Sequence, residues 1–264
     1  MLESIILGMV QGVTEWLPIS SEGAIVVLKM NLFNSDLGLG SLIKYALFLH
    51  LGTFLAALIY LRKEVFLLVK NFFNYRKVER RDRNLIKFYF LATFFSGFFA
   101  FIIFKIVGFF EERVDPTSKA IILIVGIALL FTAFLQIRKK GSSFRGVADL
   151  NFTDSFLLGL AQGFSIIPGL SRSGLTISAF LLRKIDKKQA LKLSFLMSLP
   201  VVLAGNILLN LEMFALSLES LLGFCFSFVF GILTIHILLK LADRVNFGIF
   251  VLFFSLLTII SVFV

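Results

Sequence analysis

Two short stretches hold the residues whose types and spacing suit phosphate chemistry. They are Gln11-Gly-Val-Thr-Glu-Trp-Leu-Pro-Ile-Ser-Ser-Glu-Gly23 and Pro168-Gly-Leu-Ser-Arg-Ser-Gly-Leu-Thr-Ile177. In the second, a Pro-Gly turn precedes Ser171 to Thr176, which reads as the opening of a helix. A helix N-terminus offers unpaired N–H groups and partial positive charge, and together these bind phosphate. Arg172 adds a planar fork of donors suited to phosphate oxygens. Ser171, Ser173, Gly174 and Thr176 complete a candidate cradle. In the first stretch, Glu15 follows Gln11 by one helical turn and shares its face. A carboxylate there serves as a general base or holds a divalent cation against a phosphate. Ser20 and Ser21 offer a nucleophile or further phosphate donors.

Each residue also has a plainer reading. The serines cap helices, Arg172 snorkels to an interface or pairs with Glu15, and Glu22 is a ligand or an exposed residue at the mouth. His50 and His236 stand in apolar runs, where a lone histidine is more often a packing residue than a catalyst.

These side chains need elements to hold them. Of 264 residues, 58% are hydrophobic and only 16% charged, against about 25% charged in soluble domains. Several apolar runs are long enough to cross a bilayer. The chain therefore reads as all-α and polytopic, a single membrane domain over residues 1–264 with no low-complexity linker. A net charge of +10 would suggest nucleic acid in a soluble protein. Here the Lys and Arg residues sit between spans, where they orient the chain and meet anionic headgroups, so no nucleic acid is expected. Cys225, the one cysteine, cannot form an intrachain disulfide. The Met-Leu-Glu start lacks the basic region of a cleavable signal.

A hairpin is expected over residues 2–30, then spans at 42–61, 86–108 and 119–137. A second hairpin is expected at 157–182, then spans at 190–211, 219–239 and 247–263. Asn151 to Asp154 reads as an N-cap region, and Arg76 to Arg83 as a solvated charge run within the basic segment 62–84. Basic segments 62–84, 138–155 (with Arg138-Lys-Lys140) and 183–188 fall on the cytoplasmic side. The stretch Glu111-Glu-Arg-Val-Asp115, the connection near Glu212 and residues 31–41 (with Asn34) fall outside. Leu7-Gly-Met-Val-Gln-Gly12 also resembles Leu158-Gly-Leu-Ala-Gln-Gly163, and Ser20 to Gly23 aligns with Ser171 to Gly174 at the same offset. Each half is then one re-entrant helical hairpin plus three transmembrane helices, repeat one about 1–140 and repeat two about 150–264. An odd number of spans per half makes the repeat inverted, with broken helices meeting near the midplane around an anionic ligand. Pro168 and its neighbours become the hinge of such a broken helix. An arginine at membrane depth costs roughly 2.5–3.5 kcal/mol, which favours a polar cavity beside it.

The two stretches closely resemble the signature motifs of the bacitracin-resistance undecaprenyl-diphosphate phosphatases. The resemblance implies a multi-pass enzyme of the cell membrane that removes the terminal phosphate of a polyprenyl diphosphate. The product is the lipid monophosphate carrier for cell-wall glycans. It also implies a divalent cation, Mg²⁺ or Ca²⁺. The partners are the polyprenyl diphosphate lipid and the membrane, with a homodimer left open. By position, Glu15 matches the family's essential glutamate, Ser21 a catalytic serine, and Ser171, Arg172 and Thr176 phosphate-binding residues. Two positions depart: Gln11 where a glutamate is common, and Ala24 where a histidine is common. Besides a phosphatase, a polyprenyl-phosphate binder or transporter would suit the same architecture.

Overall fold

The computed structural model describes residues 1–33, 38–111, 118–137, 145–167, 169–210, 217–242 and 247–260. Asn34, residues 112–115 of the acidic stretch, Arg138-Lys-Lys140, Pro168 and Glu212 lie outside them. The described residues form eleven α-helices and one 3₁₀ turn, with no strand. The helices are α1 (Leu2–Thr14), α2 (Ser21–Asn31), α3 (Leu39–Tyr60), α4 (Arg62–Phe73), α5 (Arg80–Glu111) and α6 (Ser118–Ile137). They continue as α7 (Phe152–Phe164), α8 (Arg172–Leu182), α9 (Lys187–Leu209), α10 (Leu218–Leu241) and α11 (Phe247–Ile260). Within α3, α5, α9 and α10, four stretches are long and apolar enough to cross a membrane. The protein is an all-α, multi-pass membrane protein.

Both expected hairpins are present, and their breaks are built alike. Ser20 Oγ accepts from Gly23 N at 3.0 Å to cap α2. Ser171 Oγ accepts from Gly174 N at 3.0 Å to cap α8. Such a cap contributes about 1 kcal/mol. Gly169 holds φ at 93°, left-handed backbone that glycine adopts without a Cβ penalty. The Asn151–Asp154 cap also forms. Asn151 Oδ1 accepts from Asp154 N at 3.1 Å, and Asp154 Oδ2 from Asn151 N at 2.9 Å.

Arg76 to Arg83 is mostly exposed, as expected, while helix covers more of the basic segment 62–84 than the sequence suggested. Residues 62–73 form α4, and α5 begins at Arg80 instead of 86. Leu68 and Asn71 recur at helical spacing and turn toward the protein, where Asn71 Nδ2 donates to Asp82 Oδ2 at 2.8 Å. Phe66 and Phe73 point outward with Lys63 and Lys70.

Ion pairs sort the two ends. At one end the Met1 amino group meets Glu219 at 2.9 Å. At the other, Lys192 meets Glu64 at 2.8 Å, and Asp154 takes Arg145 at 2.8 Å and Arg183 at 2.6 Å. Burial opposes the Asp154 charge, but the Arg145 and Arg183 hydrogen bonds outweigh it and hold the carboxyl below the usual aspartate range.

The first limb of each hairpin packs on a span of the other half: α1 on α10, and α7 on α5. Glycines spaced four apart let the backbones close up. Gly8 lies against Gly223, and Gly12 against Ser227, Phe230 and Gly231. Likewise Gly159 lies against Ala92, Phe95 and Ser96, and Gly163 against Ser96, Phe99 and Ala100. The two sets correspond residue by residue. Trp16, beside the first hinge, is buried with Ile177, Phe195 and Leu199, which ties both hairpins into one core.

Candidate active site

The two hairpin tips meet at Glu15. Glu15 follows the last turn of α1, and only 4% of its surface is exposed. Gln11 Nε2, one turn earlier, donates to its Oε2 at 2.9 Å. Ser21 Oγ, from the first turn of α2, donates to the same oxygen at 2.7 Å. From the second hairpin, Arg172 pairs with Oε1. The guanidinium also stands 6.0 Å from the Trp16 ring. One carboxylate is thus held by groups from both hairpins.

The sequence reading favoured a packing role for His50, and the structure corrects it. His50 Nε2 lies 2.9 Å from Glu15 Oε2 and 3.4 Å from Ser21 Oγ. His50 Nδ1 bonds the Ala46 carbonyl, one turn back on α3, at 2.7 Å. That bond fixes the ring with Nε2 toward the carboxylate. A histidine therefore stands beside the reactive groups although position 24 is alanine, and α3 supplies it instead of α2. An ionisable side chain inside an apolar span was the available signal, since such residues are functional candidates by default. His236 is elsewhere, its Nδ1 3.1 Å from the Tyr60 hydroxyl.

A cavity of about 300 Å³ opens beside Glu15. Its polar end is lined by Glu15, Ser20, Ser21, Glu22, His50, Ser171, Arg172 and Ser173. The opposite end is apolar, formed by α5 and α9 through residues such as Phe101, Phe104, Val201 and Leu208. Cation, carboxylate and hydroxyls at one end and hydrocarbon at the other suit an amphiphile with an anionic head.

Two residues assigned to the cradle, Gly174 and Thr176, are not on the cavity wall, and neither is Gln11, expected from the sequence to bind substrate. Gln11 is fully buried behind Glu15, acting through that carboxylate. Thr176 Oγ1 donates to the Arg172 carbonyl at 2.8 Å and lies 2.6 Å from Ser194 Oγ. One turn beyond Arg172, it looks back along its own helix. The Gly174 N–H is taken by the Ser171 cap. Ser20 and Ser171 are on the wall, but both are engaged as caps. Ser173 Oγ donates to the Leu17 carbonyl at 2.6 Å, joining the two hinges.

Comparison with known proteins matches nearly the whole chain. The family model for bacitracin resistance protein BacA matches residues 4–260. An undecaprenyl-diphosphatase of Methanococcoides burtonii is 38% identical, over 99% of this chain and 98% of that protein. One from Methanococcus vannielii is 34% identical over 91% and 90%. One from Methanothrix thermoacetophila is 33% identical over 98% and 95%. With the family match running almost from end to end, the chain belongs to the BacA bacitracin-resistance family.

Proposed function

We propose that this protein hydrolyses the terminal phosphate of a polyprenyl diphosphate, undecaprenyl diphosphate by the names of its relatives, giving the lipid monophosphate and inorganic phosphate. The observation that carries the reading is the convergence of Glu15, Ser21, His50 and Arg172 at the polar end of a cavity whose other end is hydrocarbon. Arg172 turns its fork from Glu15 to the phosphate oxygens, which offer more charge and more acceptors. Glu15 Oε2 then takes the proton of Ser21 Oγ, already donating to it at 2.7 Å. The freed oxygen, or a water in its place, attacks the terminal phosphorus. The bond to the bridging oxygen breaks and the lipid monophosphate leaves. If Ser21 attacks, water then releases phosphate from it. Arg172 and the positive ends of α2 and α8 stabilise charge on the phosphoryl oxygens, the dominant contribution in such transfers. His50 keeps Glu15 facing Ser21.

A divalent cation, Mg²⁺ or Ca²⁺, belongs to this reading. No cluster of three His, Cys, Asp or Glu residues occurs among the described residues. Two carboxylates, Glu15 and Glu22, do line the cavity. That set fits a cation shared with substrate phosphates, since Mg²⁺ is ordinarily held by one or two carboxylates plus phosphates. It would neutralise charge on the diphosphate.

We place the protein in the cell membrane, with its two halves inverted relative to one another. The site is assembled within one chain, so hydrolysis does not depend on a homodimer. Purified protein in detergent should release phosphate from undecaprenyl diphosphate when a divalent cation is added. Glu15→Gln should abolish release and keep lipid binding. Lipid binding without release by the unaltered protein would overturn the hydrolytic reading.

A further inference from the structure

We infer that the polyprenyl chain leaves the site sideways, through a gap between α5 and α9 that exists because one of two equivalent seams is unfilled. The inference rests on the hydrolytic reading only for the identity of the lipid.

The hairpin contacts pair α5 with α10 position by position. Ala92 stands where Gly223 does, Ser96 where Ser227 does, Phe99 where Phe230 does, and Ala100 where Gly231 does. The same register pairs Thr93 with Phe224 and Gly97 with Phe228. In one seam, α10 packs tightly on α3. There Gly52 lies against the Phe224 carbonyl, and Ser227 Oγ donates to the Leu49 carbonyl at 2.7 Å. Phe224 and Phe228 pack against the buried clusters beside it. In the other seam, α5 and α9 touch sparsely. Two phenylalanine positions have become Thr93 and Gly97, both lining the cavity. Nothing stands within 4 Å of a Cβ built on Gly97, and Gly205 opposite would meet only Leu47, at 3.7 Å.

The gap runs directly into the cavity that ends at Glu15 and Arg172. Its walls continue outward as Phe101, Phe104 and Leu208, each about half exposed or more. A volume of about 300 Å³ holds a diphosphate and the first of the chain. A long isoprenoid must continue past these side chains into the bilayer, where its hydrocarbon is already solvated. An apolar exit continuous with an anion site suits one class of occupant, a phosphorylated lipid with a single long hydrocarbon chain.

The test fills the gap with the residues of the closed seam. Gly97→Phe and Thr93→Phe are assayed on undecaprenyl diphosphate and on isopentenyl diphosphate, whose single prenyl unit needs no exit. The ratio of kcat/KM for long over short substrate should fall by about tenfold or more. In parallel, the unaltered protein is bound to a polyprenyl phosphate carrying a photoreactive group along its chain, and the labelled helices are mapped. Label on α5 and α9 supports the exit and serves as the readout where the variants do not fold. An unchanged ratio in variants that fold, or label on α3 and α10, overturns it. If the unaltered protein hydrolyses neither substrate but is labelled on α5 and α9, the exit stands and the hydrolytic reading falls.

Discussion

Glu15 and Arg172 form an ion pair between two hairpins that are separated by most of the chain. The pair keeps both charges neutralised while no phosphate is present, and it sets the arginine beside the position a phosphate would take. Arg172→Lys preserves the charge but not the planar fork. Headgroup affinity, measured with a polyprenyl phosphate in detergent, should weaken by roughly 1.5–3 kcal/mol, the range for hydrogen bonds to charged groups. Unchanged affinity in a folded variant would remove Arg172 from the headgroup site.

His50 offers a separate handle. His50→Leu removes the contacts at 2.9 Å to Glu15 and 3.4 Å to Ser21 while leaving Arg172 in place. Turnover should drop by roughly 10²-fold, the loss that a small misplacement of a reacting group brings, with KM little altered. A rise in KM at constant kcat would instead mark His50 as a binding group.

Acid should loosen the end of the protein built around Asp154. Its carboxyl titrates lower in the folded chain than in the unfolded one. The stability it contributes is therefore complete above the unfolded value of about 4 and is lost as pH falls through the folded value. Asp154→Asn should cost roughly 1.5–3 kcal/mol near neutrality. Below the aspartate range the melting temperatures of variant and parent should converge, which thermal unfolding in detergent would read directly.

Orientation across the membrane is open to a labelling test. With Cys225 replaced by serine, single cysteines at Asn74 and Glu219 should react with an impermeant reagent from opposite faces, Asn74 from the cytoplasm. Reaction from one face would contradict the assignment by basic segments.

The spans in α3, α5, α9 and α10 were legible because a bilayer imposes a length and a polarity that sequence cannot hide. The hairpins were legible because Pro18, Ser20 and Ser171 interrupt apolar runs with residues that stop or cap helices. Glu15, Ser21 and Arg172 were found by type and spacing. His50 was not, because its role depends on where α3 lies relative to the tip of α1, and no local pattern encodes that distance. Thr176 was assigned to the phosphate because a hydroxyl near a helix start suggests an anion. Its rotation about the helix axis, toward Ser194, appears only in three dimensions. Helix α4 was missed because Arg62, Lys63, Glu64 and Lys70 break up the long apolar run that marks a span, although its apolar residues keep helical spacing.

Two like halves, joined as these are, would present two like seams and could not distinguish their left from their right. Thr93 and Gly97, set against Phe224 and Phe228, end that equivalence. A lipid headgroup then has one front door to Glu15. A fold whose internal symmetry is indifferent to direction becomes vectorial through two side chains that are too small to close a gap.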